Sequence, residues 1–249
     1  MPRSFQLGPL TQDLLNKAKW SDGYPAHECY AIECEKLIGF VDSQGQTGHY
    51  SPRLRANGRL RDAALQEIRV AYHLHTKGFP IVDWQPVDAP KHALEFSVQL
   101  SGGGPCFVEV KGPTWQSELS PAEIADGRTK QPKYLDGQGG PVDPTERIRC
   151  AVKKALPKFT GRLPSLVVIA DDCFVNLGKW GCGPLQRALT RKSHGLFHCS
   201  KFRVIGAVAL FWIERTDPVE YALASIANPN AAPTAVLPLE LLDVLKTKP

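Results

Sequence analysis

The chain has 249 residues, of which 43% are hydrophobic and 22% are charged, so it can form one large globular domain or two small ones. Its formal net charge of +5 permits a nucleic-acid partner and does not demand one. The start of the chain lacks the apolar region of a secretory signal, and the longest apolar run, residues 205–213, is too short for a bilayer. With seven scattered cysteines, these features predict a cytoplasmic protein with reduced thiols and no membrane partner.

Residues 1–57 mix helical and loop signals, and we interpret them as a small helical addition to the domain that follows. Short helices are indicated near residues 10–18 and 31–40. Residues 42–58 are polar and contain glycines, which predicts a loop. Three potential metal ligands lie in this part of the chain: His27, Cys29 and Cys34. Their spacing is loose and no second pair follows, so buried thiols are a simpler interpretation than a zinc site.

The segment 60–77 carries the clearest helical pattern, with apolar residues recurring at steps of three and four. Gly78 and Pro80 follow it and predict its end. Glu67 falls on or beside the apolar face, where an unpaired charge would be costly. It could reach solvent at the border of that face, pair with an arginine, or point at acidic residues on the strands that follow.

A strand is predicted at residues 79–84, followed by a linker at 85–93. Two alternating segments, residues 94–100 and 106–111, flank a Gly-rich turn and predict an antiparallel hairpin, with Leu94 and Phe96 on one face of the first segment. If Leu100 pairs with Cys106, both apolar rows share one face of the sheet. The opposite face then carries three charged side chains: Glu95, Glu109 and Lys111. In this register Ser97 faces Glu109, and Glu95 faces Lys111.

Two neighbouring carboxylates repel each other, and a divalent cation removes that repulsion. Mg²⁺ takes few carboxylates and shares phosphate oxygens, while a nearby lysine can stabilise or help to deprotonate an attacking water. The residue types therefore suit hydrolysis of a phosphodiester. The alternative is an exposed polar face with a cross-strand Glu–Lys pair.

A helix with Glu67, a strand, a strand with Glu95 and a strand with Glu109-Val110-Lys111 together resemble the PD-(D/E)XK nuclease superfamily. The resemblance implies a restriction-endonuclease-like mixed sheet flanked by helices, dependence on Mg²⁺ or Mn²⁺, and cleavage of DNA or occasionally RNA. It implies that Glu95, Glu109 and Val110 hold the metal and that Lys111 acts on the water. Glu67 would support a second ion or a water. The family usually has Asp where this chain has Glu95, which is one methylene longer.

Two further regions are candidates for contact with nucleic acid. The long polar segment after Lys111 begins with Trp115 and Gln116, which could stack on a base or contact the backbone. Packing of Trp115 on the core is the alternative. A basic helix is predicted at residues 145–159, and its candidate phosphate contacts are Arg149, Lys153 and Lys154.

The remaining pattern predicts a buried parallel strand near residues 163–172, a short helix at 184–191, strands at 203–214 and 220–226, and a final helix at 239–245. We therefore expect one α/β domain at residues 58–249, either separate from the N-terminal addition or continuous with it. The expected function is a metal-dependent endonuclease or exonuclease, with DNA as the expected substrate. The alternative is an inactive nuclease-like module that binds nucleic acid or a protein partner. A homodimer or a partner protein could supply specificity.

Overall fold

Helices cover both faces of one mixed β-sheet in this protein. The computed structural model describes residues 8–9, 11–12, 28–56, 59–112, 144–170, 182–216 and 218–245. Within these residues, the predicted α/β class with a mixed sheet flanked by helices is confirmed. No helix in the described part of the chain is both long enough and apolar enough to cross a bilayer.

The elements of the described residues follow the predicted order, with one additional helix and two additional short strands. The helices are α1 Glu28–Ser43, α2 Thr47–Arg55, α3 Arg59–Thr76, α4 Pro144–Ala155, α5 Gly183–Thr190 and α6 Leu239–Val244. The strands are β1 Ile81–Trp84, β2 Val87–Ala89, β3 His92–Ala93, β4 Phe96–Gln99, β5 Pro105–Lys111, β6 Ser165–Ala170, β7 Ala207–Thr216 and β8 Val219–Ala227. A 3-10 turn, Leu156–Lys158, directly continues α4.

The main sheet has the strand order β1-β4-β5-β6-β7-β8. The first three strands in this order are antiparallel neighbours, β5, β6 and β7 are parallel, and β8 is antiparallel to β7. Helix α4 lies between β5 and β6 in the chain, as a parallel connection requires. Every residue of β6 is buried, because helices cover this strand on both faces.

Two apolar layers hold the helices to the sheet. On one face, α1, α2, α3 and α6 pack with buried side chains such as Tyr50, Ile68 and Leu74. On the other face, α4 and α5 pack with buried side chains such as Ile148 and Leu185. Helices α1 and α2 belong to the predicted N-terminal addition, and they contribute to the same layer as α3.

The β4–β5 hairpin has the predicted faces in a different register. The observed pairs are Phe96–Val108, Ser97–Phe107, Val98–Cys106 and Gln99–Pro105. The predicted pairing of Leu100 with Cys106 is therefore wrong by two residues. Such a shift keeps each side chain on its face, because side chains alternate with a period of two. It nevertheless places Ser97 opposite Phe107 instead of Glu109.

A tight turn explains this register. The Leu100 N–H donates to the Gly104 C=O at 3.0 Å, and the Gly103 N–H donates to the Leu100 C=O at 3.0 Å. Gly103 has a φ of 92°, which residues with a Cβ rarely adopt. Leu100 is thus closed against Gly104 instead of Cys106, and β5 already begins at Pro105.

The predicted loop at residues 42–58 is wrong over most of its length, because α2 forms there. Helix α2 contains Pro52, yet Tyr50 and Leu54 lie on one side of it and are both buried. Burial of an apolar face can outweigh weak intrinsic helix propensity. A pattern with only two strong apolar positions was too short to reveal this helix from the sequence.

The chain between β1 and β4 also differs from the prediction. A small two-stranded sheet, β2 with β3, occupies the region expected to be a linker. Leu94 packs in the layer that contains Phe107, whereas we expected it on the face of Phe96. The chain bends at Glu95, and this bend breaks the alternation just before β4.

Candidate active site

Strand β5 positions the two residues of the predicted Glu-x-Lys element. Glu109 is fully buried, and it lies on the same side of β5 as Phe107, which packs in the α4 layer. Lys111, two residues further on, points to the same side, and its ammonium forms an ion pair with Glu109 Oε1. The sequence pattern therefore predicted the common face of these two side chains.

A second lysine reaches the same carboxylate from the turn after α4. Lys158 Nζ lies 2.8 Å from Glu109 Oε1 and 2.9 Å from Glu109 Oε2. The same ammonium lies 3.5 Å from Glu95 Oε1. Glu95 and Glu109 therefore converge on one cation. Sequence reasoning placed Lys158 in a basic helix and missed this contact, because 49 residues separate it from Glu109.

The backbone near Lys158 is held by Asp88 of β2. Asp88 Oδ2 accepts a hydrogen bond from the Thr160 N–H at 2.6 Å, and Asp88 Oδ1 is 2.6 Å from the Thr160 hydroxyl. Pro157 lies in the 3-10 turn that follows α4, and its ring prevents the α-helix from continuing to Lys158. Asp88 thus fixes the chain two residues after Lys158 and directs this lysine toward the strand that carries Glu109. The small β2–β3 sheet is therefore part of the site's support.

Glu95 reaches the site from the bend that precedes β4. The Gln85 N–H donates to the Glu95 C=O at 3.1 Å, and the Leu94 N–H donates to the Pro86 C=O at 2.8 Å. These bonds hold the bend in place. Extending the observed hairpin register by one pair would place Glu95 opposite Glu109, whereas we expected it opposite Lys111.

The third predicted metal ligand, Val110, can contribute only its backbone carbonyl. The Phe107 N–H donates to the Pro164 C=O on the side of β6. Because backbone groups alternate along a strand, the Val110 C=O points to the opposite edge, toward β4. The pairing of β4 with β5 ends at Val108, so this carbonyl lies beyond the last pair, near the bend at Glu95.

Glu67 of α3 pairs with an arginine, one of the alternatives that its position in the sequence left open. Arg53 of α2 donates to both Glu67 oxygens, at 2.6 Å and 2.5 Å. The Glu67 side chain is only 7% exposed. Its charge acts on both Glu95 and Glu109, so it belongs to the same electrostatic cluster. The predicted support of a second ion or a water stays a prediction.

His49 extends this cluster, and nothing in the sequence pattern pointed to it. Arg53 Nη1 lies 3.2 Å from His49 Nε2, and Gln85 Nε2 lies 3.4 Å from the same atom. Arginine only donates hydrogen bonds, so this ring nitrogen is the acceptor. Burial, together with the charge of Arg53, lowers the pKa of His49 against the opposing charge of Glu95, which favours the neutral ring.

The burial of the carboxylates shifts their titration. Burial raises the pKa of Glu109, and the charge of Glu95 raises it further, while Lys111 and Lys158 lower it. Burial raises the pKa of Glu67 to about 7, although the Arg53 hydrogen bonds oppose the shift. Burial alone would lower the pKa of Lys158, but Glu109 and Glu95 hold it above its ordinary value. The site therefore favours positive charge between its carboxylates.

This donor set fits a hydrated divalent ion. Among the described residues, no group of three or more His, Cys, Asp and Glu side chains is arranged to hold a metal. Mg²⁺, however, usually keeps several waters and needs only one or two carboxylates together with substrate oxygens. Glu95, Glu109 and the Val110 carbonyl supply such a set at the end of β4.

No protein-family model, curated protein or solved structure matches this chain.

The surface formed by α4, α5 and the segments after them is basic. Segments 144–170 and 182–216 together carry twelve Lys and Arg but only two acidic residues. The whole chain, by comparison, has 30 Lys and Arg and 25 Asp and Glu. Lys153 and Lys154 are exposed in the last turn of α4. Arg149 instead contacts its own surroundings: its guanidinium is 3.4 Å from Glu146 and 3.3 Å from the Arg187 carbonyl. The two lysines are thus better placed than Arg149 to meet a phosphate.

Some sequence predictions fall outside the described residues. Trp115 and Gln116 lie in the segment 113–143, and His27 also lies outside. Cys29 falls within α1, but its side chain is outside the description, whereas Cys34 is a buried free thiol. The proposed base contacts and the zinc alternative therefore stay predictions.

Proposed function

We propose that this protein is a metal-dependent nuclease with a restriction-endonuclease-like fold, as its resemblance to the PD-(D/E)XK superfamily implies. The observation that carries the proposal is the convergence of Glu95, Glu109, Lys111 and Lys158 where β5 extends past the end of β4. Two carboxylates and two ammonium groups in one partly buried place match the needs of phosphodiester hydrolysis. DNA is the expected substrate.

Each group has a role in this proposal. Mg²⁺ or Mn²⁺ bound by Glu95, Glu109 and the Val110 carbonyl would polarise the phosphate and lower the pKa of a bound water. Lys111 orients the attacking water or stabilises charge that develops on the phosphate. Lys111 lies on a strand of the sheet, so the backbone holds its side chain in place before the reaction begins. A charge held in this way can stabilise the transition state more than the bound substrate.

The basic surface supplies substrate binding in the same proposal. Lys153 and Lys154 lie on α4, the helix that leads into the turn with Lys158. A phosphate backbone bound along α4 would pass close to Glu109. Such contacts position the polymer and depend on salt, but they carry no sequence information. Specificity would come from other residues, a second copy of the chain or a partner protein.

One observation favours the second candidate, an inactive module that binds nucleic acid or a protein partner. Glu109 is already neutralised by Lys111 and Lys158, so the cluster does not depend on a metal for charge balance. Glu95 also stands where the superfamily usually has Asp. Both features are compatible with a site that has lost its chemistry and kept its binding surface.

A cleavage assay separates the two candidates. The protein is incubated with single- and double-stranded DNA and RNA in Mg²⁺, Mn²⁺ or EDTA, beside Glu109→Gln and the control Asp83→Asn, which alters an exposed acid in β1. The nuclease proposal expects metal-dependent cleavage by the parent and the control, and none by Glu109→Gln. Tight binding without cleavage in any metal would favour the inactive module.

A further inference from the structure

Lys158 occupies the place between the two carboxylates. Its ammonium is nearly equidistant from the two Glu109 oxygens, at 2.8 and 2.9 Å, and it faces Glu95 Oε1 at 3.5 Å. A cation that bridges Glu95 and Glu109 would take up the same position. Lys111 pairs with Glu109 Oε1 from the strand itself, and among the described contacts it forms no ion pair with Glu95.

A metal ion and this ammonium group would compete for the same carboxylate oxygens. Mg²⁺ binds carboxylate oxygens at about 2.0–2.1 Å, and ordinary ammonium contacts are about 2.8 Å. An ion that touches both Glu95 and Glu109 would therefore lie only a few ångströms from Lys158 Nζ in its present place. Two positive charges at that separation, in a partly buried site, repel strongly.

We propose that Lys158 is the resident counter-ion of the Glu95–Glu109 pair and must leave it for a divalent ion to bind, so that Lys158 limits the metal affinity of the site. This inference rests on the proposed function, because it takes the metal position from that proposal. Removing the Lys158 ammonium while keeping both carboxylates should strengthen metal binding.

The surroundings of Lys158 allow this exchange. Its side chain is 20% exposed, so the ammonium has access to water. The flexible four-carbon stem lets the charge move without moving the backbone, which Asp88 fixes through Thr160. Lys111 stays beside Glu109 when Lys158 leaves. The buried carboxylate therefore keeps a counter-ion at every stage.

The test is calorimetric titration with Mn²⁺ alone on the full chain. The variants are Lys158→Met, which removes the charge and keeps an unbranched side chain, and Lys158→Gln as a second form in case the first folds poorly. Arg162→Met is the matched control, because it removes an exposed cation four residues away. We expect both Lys158 variants to bind Mn²⁺ about tenfold more tightly than the parent, equal to about 1.4 kcal/mol, and Arg162→Met to match the parent.

A second titration tests whether the gain in Mn²⁺ affinity arises at the Glu95–Glu109 pair. Adding Glu95→Gln to Lys158→Met should abolish the gain in affinity, because the metal loses one carboxylate. The proposal is overturned if both Lys158 variants bind Mn²⁺ no more tightly than the parent, if the gain survives Glu95→Gln, or if no form of the protein binds Mn²⁺.

These outcomes are independent of the nuclease assay. If Lys158→Met gains affinity and the parent cuts no nucleic acid, the competition stands and the nuclease proposal fails. If the parent cuts in Mn²⁺ and Lys158→Met has the parental affinity, the nuclease proposal stands and the competition fails.

Discussion

Replacing Arg53 with Met would leave Glu67 buried without its counter-ion. Arg53 makes two short hydrogen bonds to Glu67, whose side chain is only 7% exposed. Breaking a buried ion pair by removing one partner costs about 3–5 kcal/mol. Arg53 itself is 24% exposed, so water can replace part of the lost interaction and the cost should fall at the lower end.

The loss of unfolding free energy caused by Arg53→Met should increase with pH. In the parent, the pKa of Glu67 is raised from 4.5 in the unfolded chain to about 7 in the folded protein. The free energy of unfolding therefore falls as the pH rises from 4.5 to about 7. Without Arg53 the folded-state pKa rises further. Below pH 7, Glu67 is then protonated in the folded parent and in folded Arg53→Met. The two proteins should differ in unfolding free energy by about 1 kcal/mol there, because only hydrogen bonds are lost. Above pH 7 the difference should grow by up to about 1.4 kcal/mol per pH unit, reaching about 3 kcal/mol near pH 9.

Urea unfolding of the parent and Arg53→Met at pH 6, 7.5 and 9 measures this difference. The same pair is measured with Glu67→Gln present in both proteins, since an amide cannot ionise. In that background the cost of Arg53→Met should be about 1 kcal/mol at every pH. A cost that is the same at pH 6 and pH 9 with Glu67 intact would refute the assignment of a buried, titrating Glu67.

Three further predictions concern the site and its surface. Lys111→Ala should slow cleavage about 10²-fold or more and leave nucleic-acid binding in gel shifts nearly unchanged; cleavage at the parental rate would exclude a role for Lys111 in the chemistry. Removing both Lys153 and Lys154 by alanine should flatten the plot of log affinity against log salt by about 0.9 for each lost phosphate contact, and an unchanged slope would mean that neither contacts the polymer. Asp88→Asn should loosen the turn at Lys158 and reproduce part of the gain in Mn²⁺ affinity, so an affinity below the parental value would contradict the positioning role of Asp88.

The local pattern of the chain was enough to predict most elements. Helix α3 was expected at 60–77 and runs from Arg59 to Thr76, because apolar residues at steps of three and four can only be buried together on a helix. The alternation of β5 likewise placed Glu109 and Lys111 on one face, and that result does not depend on which residues pair across the hairpin.

The pattern failed where a few contacts decide the structure. Helix α2 contains Pro52 and has only two buried apolar anchors, so its sequence resembles a loop and its packing makes it a helix. The hairpin register depended on how tightly residues 101–104 turn, and composition does not fix the length of a loop. The bend at Glu95 depended on hydrogen bonds with residues 85 and 86, which lie in the connection between β1 and β2.

The sequence by itself therefore determined which residues could do chemistry, namely Glu95, Glu109 and Lys111, because their identity and alternation are local properties. Only the tertiary structure decided what surrounds them. Lys158 meets Glu109 from a turn 49 residues away, and Arg53 meets Glu67 from a helix that the pattern did not reveal. Charge pairing acts through space and leaves no periodic trace in a sequence, so a basic helix and a buried counter-ion have the same one-letter pattern.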